Sequence, residues 1–469
     1  MKKRLLITHC LFIYALTGYC TENLISDPFA THLSSHHLKD SCQLNTENKQ
    51  AWTLIDVVNQ ALCHNPQTQQ AWANARLQAE QVAIAKSAYL PSINLNTSLS
   101  QSMNSSSSSL QVTTISNTTS SKSAQPVERI TPIINLSYLL YNFGAREAQL
   151  KTAQKTLEAA NWTHDALLQA VMFSAIQSYY QLFATQAATE SALIAEKSST
   201  TILNAAQKRH EIGTSALVDV LLAQTALAQA KLNTQKSQGE VQIAKGNLAI
   251  VLGFDADYSL TITPPQLIKP DAEQNHYIHD LITQAKNLRP DLAAAEAKIK
   301  AAQAGIESAQ AGHLPSLSLV GNYAYNVTSL PSQTESWTIG MQLNIPLFNG
   351  FNTTYQIRSA KEQLAVQQAN YTQLEQSVSL EVWQAYQLLM TAYNSFISSE
   401  ALVASAEQTE KATLGRYNAG VGSMIDLLNA QTSLAGAKMQ LIQAQYTWLI
   451  QKAQLAKALG QLDSSSITG

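Results

Sequence analysis

A long internal duplication constrains this chain more than any other feature of it. Arg209, Gly213, Asp219, Leu221, Ala223, Gln224, Thr225, Leu227, Ala228, Ala230 and Lys231 recur as Arg416, Gly420, Asp426, Leu428, Ala430, Gln431, Thr432, Leu434, Ala435, Ala437 and Lys438, at a constant offset of 207 residues. The offset also relates Leu252-Gly253 to Leu459-Gly460, and Tyr141-Asn142 to Phe348-Asn349. Upstream it becomes 224: Gln60-Ala61 and Pro66 match Gln284-Ala285 and Pro290, and Leu90-Pro91-Ser92 matches Leu314-Pro315-Ser316. The first half therefore holds 17 extra residues between Pro91 and Tyr141, where the Ser/Thr/Asn-rich run from Ser105 to Ser123 has no periodicity and reads as a flexible loop.

Each half has the same order: a helical stretch, a Pro, two strand-like segments, then a long helical stretch. The strand segments alternate at period two. Ile93, Leu95 and Leu99 oppose Asn94, Asn96 and Ser98, and Ile134, Leu136, Tyr138 and Leu140 oppose Asn135 and Ser137. In the second half Leu317, Leu319, Tyr323 and Tyr325 oppose Ser318 and Asn322, while Trp337, Ile339, Met341, Leu343 and Ile345 oppose Thr338, Gln342 and Asn344. The strands are expected at about 92–101, 132–141, 316–326 and 336–347. About ten residues with one apolar face is what a tilted strand needs to cross a bilayer, and it equally describes a half-buried strand of a soluble sheet.

Two arguments separate these readings. The rest of the chain is helix-forming, so no second sheet exists to cover the apolar face. Four strands cannot close a barrel in lipid, where open edges are not tolerated, so closure needs other copies of the chain. Two copies give about eight strands, with an interior filled by side chains; three give about twelve and leave a lumen. The helices agree: from about Ala145 to His210 there is no Pro or Gly, and such a helix would run about 100 Å. Return stretches from Ala216 to Leu252 and Ser423 to Leu459 end at Gly253 and Gly460 in the position of helix C-caps, and Gly213 and Gly420 mark hairpin tips. Small residues such as Ala223, Ala226, Ala228 and Ala230 suit close antiparallel coiled-coil packing.

Composition narrows the function classes. With 30 Lys+Arg against 32 Asp+Glu the net charge is −2, so nothing points to nucleic acid or to an anionic membrane surface. Charged residues make up only 13%, about half the usual share. No stretch beyond the N-terminus has the roughly 20 apolar residues of a spanning helix, and mean hydropathy is −0.10. Lys2, Lys3 and Arg4 before the apolar run Leu5 to Leu16, with Gly18 and Cys20 ahead of Thr21, read as an export signal over 1–20. A lipid anchor on Cys20 is the rival, opposed by the bulky Tyr19 just before it. Cys42 and Cys63 then remain in an oxidising compartment, where a disulfide between them is the structural expectation. The alternative is a metal pair involving His64, which lacks ligand spacing on a second element. His36-His37 reads as a solvated pair in a polar N-terminal segment. The expected organisation is a signal (1–20), an N-terminal periplasmic segment (21–50), a first repeat (51–253), a linker (254–275), a second repeat (276–460) and a tail (461–469).

At this point the residues resemble the TolC family of outer-membrane ducts. The resemblance spans roughly Ala51 to Gly460: the duplication, the Leu-Pro-Ser strand entries, the Tyr-Asn-Phe-Gly and Phe-Asn-Gly strand exits, and the two Gly-to-Asp tips. Leu62-Cys63, Asn65-Pro66-Gln67-Thr68 and Gln70-Ala71-Trp72 further resemble its type I secretion branch. The resemblance implies a mainly α, mixed α/β homotrimer: a 12-stranded outer-membrane β-barrel continuous with a long α-helical coiled-coil tunnel through the periplasm. It also implies a periplasmic adaptor and an inner-membrane transporter of ABC, RND or MFS type as partners. At the tips, a family tyrosine bonds an aspartate on a neighbouring hairpin to hold the entrance shut. The matching residues are Tyr417 and Asp219, while the assisting arginine position is Gly422. Of two aspartates that ring the constriction, Asp426 matches the first and Asn429 occupies the second. Asp219 and Asp426 would also serve as first-turn carboxylates at helix N-termini. Gly213 and Gly420 are expected to present backbone to the adaptor, or simply to satisfy turn geometry.

No nucleophile elbow, phosphate loop or His-Glu-x-x-His pair is present, so an enzyme is not expected, nor a cofactor. The competing expectation is a soluble periplasmic coiled-coil interaction protein whose strands form a small sheet.

Overall fold

The computed structural model describes residues 51–103, 126–265, 277–328 and 333–462. Cys20, His36-His37, Cys42 and the Ser105 to Ser123 run lie outside them. The first half forms α1 (Leu54–His64), α2 (Pro66–Ser87), β1 (Ser92–Ser102), β2 (Val127–Tyr141), α3 (Ala145–Glu211) and α4 (Leu217–Val251). The second forms α5 (Ile278–Leu288), α6 (Pro290–Ala311), β3 (Ser316–Thr328), β4 (Gln333–Asn344), α7 (Asn352–Asn418) and α8 (Met424–Ala458). Paired helices have equal lengths: 11 residues in α1 and α5, 22 in α2 and α6, 67 in α3 and α7, and 35 in α4 and α8. The repeat is thus one of whole elements, and sequence drift since duplication has not moved a helix boundary.

Local chemistry explains those boundaries. Thr53 caps α1 reciprocally, its Oγ1 accepting from the Asp56 N–H while the Asp56 carboxylate accepts from the Thr53 N–H. Asn65 and Arg289 are extended, as residues before proline are driven to be, and Pro66 and Pro290 open the next helices. The strand exits turn through left-handed residues, Phe143 (φ 51°) with Gly144 and Gly350 with Phe351 (φ 64°).

The chain divides into two compact units. One joins Gln78–Leu157 to Lys298–Gln367 and contains the sheet, an antiparallel meander in the order β1-β2-β3-β4. Its register places Asn94, Asn135, Asn322 and Thr338 in one row of the polar face, and Leu95, Ile134, Tyr323 and Trp337 in a row of the other. Nothing among the described residues covers the apolar face: Leu95 is 66% exposed, Trp337 75% and Met341 73%. At the sheet's base, Arg146 donates to the carbonyls of Ala88 and Leu139 and lies over the Tyr89 ring.

Two strands depart from expectation at their ends. β2 starts at Val127 rather than about 132, because backbone pairing of Arg129 to Ser100, Glu128 to Gln101 and Val127 to Ser102 continues where the apolar alternation has stopped. β4 runs from Gln333 to Asn344 instead of ending near 347. Pro346 has no N–H to give a ladder and disfavours regular continuation.

The other unit is helical. In the first half Val57, Val58 and Ala61 of α1 pack on Val171, Ala175, Tyr179 and Leu182 of α3 and on Leu248 and Leu252. In the second, Leu281 and Ala285 of α5 pack on Val378, Val382 and Ala385 of α7 with Ala458 and Leu459. Tyr179 donates to the Thr263 carbonyl at 2.7 Å, and burial pushes its phenol well above the usual range, so it stays neutral. The return helices end against the short helices. A Cβ on Gly253 (φ +83°) would stand 2.4 Å from the His64 carbonyl oxygen, whereas one on Gly213 (φ +75°) meets nothing within 4 Å.

Gly213→Ala should therefore carry only the left-handed backbone cost, about 1 kcal/mol, and Gly253→Ala that cost plus displacement of α1, about 3 kcal/mol in all. The midpoint of heat unfolding followed by helical circular dichroism should fall further for Gly253→Ala. Equal midpoints would contradict the close approach of α1.

Candidate functional site

The features expected at the hairpin tips all fall in the helical unit, at the α3-to-α4 and α7-to-α8 turns. Both turns close in the same way. The Gly213 N–H bonds to the His210 carbonyl and the Thr214 N–H to that of Arg209; the Gly420 N–H bonds to Tyr417 and the Val421 N–H to Arg416. These are paired Schellman bonds, satisfying carbonyls that the helix end leaves orphaned. Both glycines are exposed with open space around them, so their backbone faces solvent.

Tyr417 lies inside a cluster of Ile202, Ala206, Val220, Ala223, Met424 and Leu427 that joins the two hairpins. It is 4% exposed, and its hydroxyl is buried with no hydrogen-bond partner among the described residues. Asp219 sits half-buried in the first turn of α4 and is not bonded to Tyr417 within the chain. Asp426 is exposed in the first turn of α8, where its N–H donates to Oγ of the cap residue Ser423 at 3.2 Å. Asn429, one turn on, is also exposed. Both carboxylates therefore stand at helix N-termini, where the dipole favours negative charge. Gly422 is packed: a Cβ there would lie 2.9 Å from the Tyr417 nitrogen and 3.1 Å from Cβ of Arg416. An arginine at this position would require a different turn.

The guanidinium at this tip comes instead from the other hairpin. Arg209 at the end of α3 donates through Nη1 to the Tyr417 carbonyl at 2.7 Å and through Nη2 to the Asn418 carbonyl at 2.6 Å. It also lies 4.6 Å from the centre of the Tyr417 ring. A cation here satisfies terminal carbonyls and the negative end of the α7 dipole together. A second bond across the hairpins joins Gln431 Nε2 to Ser198 Oγ at 2.9 Å. Neither contact was anticipated as a site; the one available signal was that Arg209 and Gln431 belong to the duplicated pattern. Cys63 is disulfide-bonded, and the proposed partner Cys42 is outside the described residues.

The arrangement offers surfaces and a set of hairpin seams, and comparison with known proteins gives it a setting. A family model described as outer membrane efflux protein matches residues 57–254 and 281–461. Protein CyaE of Bordetella pertussis is 28% identical over 420 residues, covering 89% of this chain and 85% of its own length. Outer membrane protein TolC of Vibrio cholerae is 25% identical over 459 residues, covering 91% and 95%. Among solved structures, the outer-membrane channel OprN superposes with a TM-score of 0.75 at 20% identity over 87% of this chain and 90% of that one. The CmeC outer membrane channel of Campylobacter jejuni gives 0.73 at 18% identity over 91% and 94%. No helix among the described residues is long and apolar enough to cross a membrane, and the family match sets aside the soluble interaction protein. The chain belongs to the outer membrane efflux protein family: it is a passive channel, not an enzyme, of the outer membrane and periplasm, in a family that works with adaptor proteins and inner-membrane transporters.

Proposed function

We propose that three copies of this chain close a 12-stranded barrel and a helical duct, gated at the tips and opened by the partners. The sheet carries this reading. Its apolar face is bare and β1 and β4 leave outer edges with no partner among the described residues, a state lipid does not tolerate. Three copies give about twelve strands, enough for an open lumen. The rows of Asn94, Asn135, Asn322 and Thr338 would then face water.

At the entrance, three Asp426 carboxylates would surround one axis and favour cations, with Asn429 contributing no charge to a second ring. The buried Tyr417 hydroxyl, without a partner among the described residues, would bond Asp219 on the neighbouring hairpin when the entrance shuts. Gly213 and Gly420, exposed and unobstructed, would receive the hairpin of a periplasmic adaptor. The transporter beyond it is of ABC, RND or MFS type. The duct serves a small solute or a secreted polypeptide alike, and the choice of cargo rests with the partners. Cys63 would pair with Cys42 to tie the N-terminal segment to α1.

Detergent-extracted protein should have the detergent-corrected mass of three chains; a monomer or dimer in the soluble fraction would refute the duct. In planar bilayers, Tyr417→Phe should raise conductance, since losing a bond worth about 1 kcal/mol raises the open population about fivefold. Unchanged conductance would remove the latch. Asp426→Ala should shift the reversal potential toward weaker cation selectivity, and an unmoved potential would take Asp426 out of the pore. Gly420→Trp should abolish export with trimers intact; export at the wild-type level would sink the docking role.

A further inference from the structure

The duplication makes a statement about the surface between copies. In a ring of three chains the hairpins alternate, first repeat then second, so two kinds of seam exist. One joins the first hairpin to the second within a chain and is visible here. The other joins the second hairpin to the first hairpin of the next copy. If the repeats stand in equivalent positions, each bond across the visible seam has a counterpart across the hidden one, found by exchanging every residue for its mate 207 positions away.

Near the tips the visible seam holds the two polar contacts already described. Arg209 reaches the carbonyls of Tyr417 and Asn418, and Gln431 bonds Ser198. The mate of Arg209 is Arg416, and the mates of Tyr417 and Asn418 are His210 and Glu211. The mates of Gln431 and Ser198 are Gln224 and Ser405, again a glutamine and a serine. Both donor types and the one side-chain acceptor are thus present a second time. The second set is idle within a chain: the side chains of Arg416, Gln224 and Ser405 are exposed and have no hydrogen-bond or ion-pair partner among the described residues. The geometry is also consistent. The visible bonds run from α3 to the end of α7 and to α8, and exchanging repeats gives bonds from α7 to the end of α3 and to α4.

We propose that Arg416 clasps the carbonyls of His210 and Glu211 on the next copy, and that Ser405 accepts a bond from that copy's Gln224. The partner is a second copy of this chain, and the inference rests on the trimer proposed above. The His210 carbonyl accepts from the Gly213 N–H as the Tyr417 carbonyl does from the Gly420 N–H, and a carbonyl oxygen can accept a second bond; the end of α3 also presents the same negative dipole end that the end of α7 presents to Arg209. A tyrosine ring is not repeated, since His210 stands at the mate of Tyr417 and its Nδ1 lies 3.0 Å from the Ser215 carbonyl of its own turn.

The clasp matters more at the hidden seam because less apolar surface supports it. In the visible seam Ile202, Ala206 and Met424 are buried. Their mates are Thr409, Thr413 and Leu217, two of them hydroxylated and the third 56% exposed in the single chain.

The test is proximity in the full-length protein in detergent. Arginine reaches farther than a disulfide can span, so a short bismaleimide is applied to the double variant Arg416→Cys with Glu211→Cys, with the wild-type chain as blank. Most chains should shift to covalent dimers and trimers on a denaturing gel. Gln224→Cys with Ser405→Cys should link chains in the same way. Arg209→Cys with Asn418→Cys provides the reference, linking within one chain and leaving it monomeric. If both new pairs stay monomeric in a protein whose native mass is three chains, the clasp is wrong and the trimer stands. A native mass other than three chains overturns the trimer and the clasp with it.

Discussion

A β-sheet with one oily face and two open edges cannot be at rest by itself, and the rest of this molecule is arranged around that fact. Backbone groups at the edges of β1 and β4 need partners wherever water is absent. The apolar rows running through Leu95, Ile134, Tyr323 and Trp337 need a solvent that is not water. The described helices cover neither the face nor the edges of the sheet; their buried apolar residues pack helix against helix. A membrane and further copies of the chain satisfy both at once. The low charge content follows from the same constraint: the polar sheet face is built of Asn, Ser and Thr, which hydrate well without creating a fixed field along a passage.

Duplication solved the problem of making two similar hairpins, yet the copies keep geometry more faithfully than chemistry. The carbonyl end of α4 is met by Asn65, whose Nδ2 donates to Val251, and the same end of α8 is met by Arg289, whose Nη1 donates to Ala458. An amide serves in one half. In the other a guanidinium serves, and burial that would weaken its charge is outweighed by hydrogen bonds to Asp291 and Glu381. What both copies retain is a donor at a helix C-terminus, which is what the backbone requires. Gly253 is held to glycine by a stricter condition, since the His64 carbonyl passes too close for a Cβ, while at Gly460 (φ +75°) the left-handed backbone adds to a tight 3.1 Å approach of Leu288 and Arg289.

Much of this architecture was legible because it is written locally. Prolines at 66 and 290, glycines at 253 and 460, and an unbroken helix-forming run from 145 placed the helices, and period-two alternation placed the strands. Strand ends were less legible. Glu128 and Arg129 break the pattern that betrays a strand without breaking its backbone pairing, and Pro346 ends a ladder while Ile345 continues the apolar rhythm. The tip was legible only as a list of residues. The contact of Arg209 with Tyr417 and Asn418 links positions more than 200 apart, and no local period encodes it. Nor does sequence alone say that Tyr417 lies under its neighbours rather than out in solvent.

That burial separates the two hairpins in kind. Position 417 carries a ring enclosed by both hairpins, with a side-chain-free Gly422 folded against its backbone; the equivalent first-repeat positions carry His210, which is exposed, and Ser215, which is half-buried. The second hairpin is therefore held to the first by an apolar plug as well as by Arg209, and the plug has no equivalent on the first hairpin. In a ring whose seams alternate, separation begins where the least apolar surface must be re-exposed to water. The threonines at 409 and 413 bond their own helix carbonyls, so they lose little when a facing surface leaves. A pair of hairpins from one chain would then move as a unit, and the boundary between copies would be the place where the entrance widens.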